Sequence, residues 1–253
     1  MKNVWTIARR DFRANFTSIT AYLVIAGFIL IMGWMFSSMV EYFARQSMQM
    51  QQFMGKRPSL TDTFLKPFLG NMNVFLLFIT PFITMRIFAE EKKNHTLELL
   101  MTSPVTMFEI VFGKFLAAFL MLLVLLGATL IFPAVLMIAG NPDVGPIFTS
   151  YIGTALIVAC YISFGMICSA VTENQVIAGV LTFAGLFFFW LVSWAAQNAG
   201  PVWGKVLEHL SLIGHYNNFS QGMLNSGDLI YYASFVVFCL FICQRVLDSL
   251  RWR

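Results

Sequence analysis

Charge is what this chain has least of. Lys, Arg, Asp and Glu together make up 11 % of its 253 residues, against roughly a quarter in soluble domains. No acid, base or histidine falls near the centre of any long apolar run. A charge there costs about 2.5–3.5 kcal/mol on insertion, and ion-driven pumps accept that cost because the group is their mechanism. Its absence argues against such a pump. GxSxG, HExxH and GxxxxGK[ST] are also missing, so the chain carries neither of those hydrolase motifs and no P-loop for ATP. The four cysteines, Cys160, Cys168, Cys239 and Cys243, all sit inside apolar runs. They read as small packed hydrophobes and not as a disulfide framework or a metal site. The ~10-residue alternation of a membrane β-barrel is not seen either.

What is abundant is apolar surface: 58 % hydrophobic residues and a mean hydropathy of +0.76. Several runs reach the ~20 residues that cross a bilayer as a helix. The expected fold is an all-α membrane protein forming a single domain over residues 1–253. Its six transmembrane helices lie near 20–40, 68–88, 112–139, 147–171, 176–196 and 229–247, and the length leaves no room for a separate soluble domain of ~100 residues. Pro81 predicts a kink in the second span. The first run is too long for a signal-peptide core and no small-x-small site closes it, so it is expected to be retained. Met and Gln after it extend the first helix toward Gly55.

Residues 1–19 place Trp5, Phe12 and Phe16 with Val4, Ala8 and Ile19 on one helical face, and Arg9, Arg10 and Arg13 on the other, with Ile7 as the exception. That is the pattern of an amphipathic helix lying in the membrane interface. Of the sixteen Lys and Arg, eleven fall on the side of the two termini and of the loop after the second span. The positive-inside rule puts that side, with both termini, in the cytoplasm. His95 then lies inside while His209 and His215 lie outside, too far apart across ~30 Å of hydrocarbon to share a metal. The external loop 197–228 carries Val202, Val206, His209, Leu210 and Ile213 at near-helical spacing; a segment dipping back into the outer leaflet and a plain amphipathic loop both fit.

One polar stretch organises the rest: the loop 89–111, between the second and third spans. Leu97, Leu100 and Met101 recur at i, i+3, i+4, Glu90, Glu91 and Glu98 add acid, and Pro104 ends the pattern. A short helix with an apolar edge can insert into a partner's groove. As a mere headgroup-lying loop it would be anomalous, because acids are repelled by an anionic leaflet.

FAEEKKNHTLELLMTSPVTMFEIVFGKF closely resembles the cytoplasmic loop of ABC-2 type transporter permeases. The likeness is carried by Glu90, Glu91, Thr96, Glu98, Leu99, Leu100, Ser103, Pro104, Glu109 and Lys114. VWTIARRDFRANFTSITAYLV is similar to that family's N-terminal interface helix, departing at Asp11, where Glu is expected. LSLIGHYNNFSQGMLNSGDLIYYASFVVFCLF resembles the gliding-motility-associated subgroup. The resemblance implies the membrane permease subunit of an ATP-driven exporter in a bacterial inner membrane. It is not an enzyme by itself and binds no cofactor directly; ATP and Mg act in a partner, an ABC nucleotide-binding ATPase. A second permease subunit, the same or a related chain, and membrane lipid are the other expected partners; nucleic acid is not. The coupling residues implied are Glu90, Glu91, Thr96, Leu97, Glu98, Leu99, Leu100, Pro104 and Lys114. An ATPase-independent channel or scramblase, and a structural anchor of a larger machine such as a gliding apparatus, are the alternatives.

Overall fold

The computed structural model describes residues 2–17, 19–54, 59–97, 105–140, 142–198 and 200–250. Among these the secondary structure is helical, with no strand. Six stretches are long and apolar enough to span a membrane: Ala21–Gln49, Thr61–Lys93, Met107–Ile138, Val144–Val171, Gln175–Ala196 and Ser226–Ser249.

Helix α1 (Lys2–Thr17) leads into α2 (Ile19–Met54), one 36-residue helix that carries the first span on through the Met/Gln-rich segment, as its composition predicts. A π turn, Thr61–Leu65, opens α3 (Lys66–Thr84), and α4 (Ala89–Lys93) follows after a break. The third span is two helices, α5 (Met107–Thr129) and α6 (Ile131–Ala139). Pro133 has no N–H to offer the Thr129 carbonyl, which accounts for the interruption there. Then come α7 (Val144–Val171) and α8 (Gln175–Asn198). The segment read as the 197–228 loop holds two short helices, α9 (Pro201–Leu210) and α10 (Leu212–Ser220), before α11 (Ser226–Leu250).

The helix α7 is the hub, packed against α3, α5, α8, α10 and α11. Of its most apolar stretch 72 % is buried, against 11 % for α2. Small residues explain why: Gly153, Ala159, Cys160, Ser163, Gly165, Cys168, Ser169 and Ala170 let neighbouring backbones approach. The outward faces of α2, α8 and α11 present Leu30, Trp34, Val180, Phe188, Val237 and Phe238, all exposed, as lipid-facing surfaces require.

Helix α1 buries part of the expected face and, with it, the residue that broke the pattern. Ile7 and Ala8 are its buried residues, while Trp5 is 59 % exposed. Ile7, the outlier on the helical wheel, is the centre of the packed face because α1 runs alongside the first turns of α5. Gly113 makes that contact possible: a Cβ there would lie 3.0 Å from Ile7 Cβ and 3.1 Å from the Val4 carbonyl oxygen.

Candidate functional site

The break near the end of the second span is where a buried lysine gathers its charged partners. Helix α3 continues through Pro81, with the Met85 N–H still bonded to the Pro81 carbonyl at 2.9 Å. The chain then turns over 85–88 and restarts as α4. Inside a membrane protein the polar groups released by such a break must find partners, and side chains from other helices supply them. Ser169 of α7 accepts from the backbone N–H of Phe88 and Ala89 at 3.0 and 3.1 Å and donates to the Met85 carbonyl at 3.2 Å. Lys92 donates back to the Ala170 carbonyl near the C-terminal end of α7, where a cation also meets the negative end of the helix dipole.

Lys114, one turn further into α5 than Ile110, completes the junction. It is 5 % exposed. Its ammonium donates to Glu91 Oε1 at 2.7 Å, Asp11 Oδ2 at 3.2 Å and the Ile87 carbonyl at 3.2 Å. The Phe88 ring lies 5.5 Å from the nitrogen. Lys114 points inward and ties α1, the α3–α4 turn and α5 together. Arg10 adds the second cation, 2.8 Å from Asp11 Oδ1 and 3.8 Å from Glu91 Oε1. The hydrogen bond to Asp11 raises the Arg10 pKa despite partial burial. Two cations face two carboxylates, so the cluster is neutral as a whole. Beside it lies a cleft of about 390 Å³ lined by Asp11, Asn15, Arg86, Glu90, Glu91 and Lys114 among others.

The acidic pair thus divides. Glu91 turns into the junction, whereas Glu90 is exposed, as are Lys93, Asn94, His95 and Thr96. His95 has a left-handed backbone, φ 55°, and its N–H closes on the Lys92 carbonyl at 3.0 Å. That conformation stops α4 and turns the chain before helix resumes at Thr96, whose hydroxyl reaches the Glu91 carbonyl. Leu97 requires a correction. Expected on an apolar edge presented to a partner, it is 5 % exposed and belongs to the core of its own chain. Glu98, Leu99, Leu100, Met101, Ser103 and Pro104 lie outside the described residues.

The next helix starts earlier than expected, at Met107. Thr106 and Glu109 form a reciprocal capping box, with the Thr106 side chain accepting from Glu109 N and the Glu109 carboxylate from Thr106 N. Asn3 of α1 donates to the same carboxylate. The T-x-x-E spacing is the signal that finds this start. Of the interface-helix residues, Arg9, Arg10 and Arg13 are exposed with Trp5, and Phe12 and Phe16 are half-buried, in contact with their rings tilted at 52° and centroids 4.8 Å apart.

The opposite face holds a second polar group that sequence reasoning passed over. His215 Nδ1 lies 2.6 Å from Asp228 Oδ1, its Nε2 lies 3.2 Å from the His209 carbonyl, and Asn218 donates to Asp228 Oδ2 at 2.8 Å. Tyr231 stacks on the imidazole at 4.0 Å. These contacts pin α10 to α9 and α11.

A six-span helical bundle with a buried lysine held where one inter-span loop meets the N-terminal helix defines a polytopic membrane protein. Comparison by sequence is consistent with this. The model of the ABC-2 family transporter proteins matches residues 5–244, and the chain belongs to that family. Its members are membrane subunits of ABC transporters and not themselves catalysts. No curated protein matches the chain.

Proposed function

We propose that this chain is the permease subunit of an ATP-driven exporter in a bacterial inner membrane, receiving the work of a separate ABC ATPase through the segment that follows the second span. The observation that carries the reading is the Lys114 junction. Together with the Ser169 and Lys92 bonds, it fastens an exposed loop edge, Glu90 and Lys93 to Thr96, to the middle of α1, the early turns of α5 and the end of α7 through part-buried polar bonds. A push on that edge is transmitted to three helices at once. Glu90 and, by sequence, Glu98 and Leu100 are the contacts we assign to the ATPase, which would bind ATP and Mg. The excess of Lys and Arg on this face favours a cytoplasmic position for it and for both termini, within reach of such a partner. A second permease subunit, identical or related, pairs with this one, and Trp5, Arg9 and Arg13 meet lipid headgroups. The 210–241 segment favours the gliding-associated subgroup.

The test is copurification of a co-expressed ABC ATPase from the same genome with a Glu90→Lys, Glu98→Ala, Leu100→Ala variant, together with ATPase rates in liposomes. Loss of the ATPase from the purified complex is expected. Undiminished binding with an unchanged, still-coupled rate moves the reading to an ATPase-independent channel or scramblase, or to a structural anchor.

A further inference from the structure

Far from the junction, four polar side chains meet inside the bundle: Asn73 on α3, Ser150 and Thr154 on α7, and Tyr216 on α10. They are 2, 1, 0 and 3 % exposed. The side chains of Thr154, Ser150 and Asn73 lie near enough to the Tyr216 hydroxyl to act as loose hydrogen-bonding neighbours that offset part of the effect of its burial. Yet Tyr216 OH, Thr154 Oγ1 and both Asn73 amide atoms have no partner at full hydrogen-bond geometry. These are four of the six buried side-chain polar atoms in that condition among the described residues, and they lie together. Burial pushes the Tyr216 hydroxyl up from its ordinary pKa, so it stays a neutral group able both to donate and to accept.

The set has a consistent depth. Asn73 is about 10 Å along α3 from Lys66, and Ser150 and Thr154 are about 9 and 15 Å along α7 from Val144, at 1.5 Å per residue. Helix α10 closes over this level. Gly153 allows it to approach so far that a Cβ there would sit 2.8 Å from Phe219 Cβ, and Thr149 donates to the Phe219 carbonyl at 2.6 Å. An amide and hydroxyls offer donors and acceptors in mixed directions. That suits a molecule which does both and needs two to four polar partners, whereas an ion of either sign would find no counter-charge among them.

We propose that Asn73, Ser150, Thr154 and Tyr216 form a binding site for internal water, closed by α10. With α10 closed over it, the bound water exchanges slowly with bulk.

Radiolytic hydroxyl-radical labelling of the detergent-purified protein, mixed into H₂¹⁸O and read by mass spectrometry, tests this within one chain. Tyr161 and Tyr232 are the controls, 1 and 0 % exposed, the latter with its hydroxyl bonded to the Leu212 carbonyl at 2.6 Å. Tyr216 should be oxidised several-fold faster than either, and its ¹⁸O incorporation should lag that of exposed tyrosines. Labelling no faster than Tyr161 and Tyr232, or ¹⁸O uptake without a lag, overturns the proposal. An Asn73→Leu, Thr154→Val variant should bring Tyr216 down to the level of the controls; unchanged labelling in a folded variant overturns it equally. The wild-type comparison decides alone if that variant does not fold.

Discussion

Replacing Lys114 with Met removes the cation from two carboxylates and a carbonyl while keeping most of the side-chain volume. Breaking a buried pair by deleting one partner costs about 3–5 kcal/mol. The Asp11 and Glu91 side chains are 19 and 22 % exposed, so water and Arg10 recover part of that, and about 2–3 kcal/mol is expected. At about 2–4 °C per kcal/mol for a chain of this size, the unfolding midpoint should fall by about 4–12 °C. Tryptophan fluorescence of the detergent-purified protein on heating measures it. The decisive comparison is the triple change Lys114→Met, Asp11→Asn, Glu91→Gln, which removes the stranded charges as well. Groups in one network do not add: coupling of about 1–3 kcal/mol is usual, so the triple variant should regain half or more of the loss. A midpoint within 2 °C of wild type for Lys114→Met, or a triple variant that loses the sum of its single changes, refutes the account of the junction as a buried ion network.

Three further outcomes follow. Thr106→Ala should lower stability by about 1 kcal/mol, the usual value of an N-cap side chain. Adding Glu109→Ala should cost little more as far as the reciprocal box is concerned, which a thermal scan of the three variants checks. His95→Gly should be neutral or stabilising and His95→Val destabilising by about 1–2 kcal/mol, because only the former accepts a left-handed backbone without strain; equal midpoints for the two would deny that conformation. Single cysteines at the exposed positions Lys93 and Lys205, in a background without native cysteine, should react with an impermeant thiol reagent in intact cells only at 205. Labelling at 93 alone would reverse the proposed orientation.

The spans were legible because each is a run of apolar residues longer than a bilayer needs, and that signal survives any packing. The length of α2 was legible too, since nothing in Glu41 to Met54 stops a helix. The break at 85–88 was not. Pro81 announced an irregularity, but what fixes the break in place are Ser169 and Lys114, 80 or so and some 27 residues away in the chain, and local sequence is silent about such partners. The same limit misdirected the reading of Leu97 and Ile7. Helical periodicity says which residues share a face, not whether that face meets lipid, a partner or the chain's own core. Thr106–Glu109 was readable from its spacing alone, whereas the His215–Asp228 pair needed the fold of α10 onto α11 to bring it together.

The central place of α7 bears on how the protein is made. A ribosome delivers this helix fourth among the six spans, yet its heaviest neighbour, α11, arrives last. Until then a helix lined with glycine, serine and cysteine waits in the bilayer with one flank uncovered. A chain stopped before residue 226 leaves that flank without its most extensive packing partner.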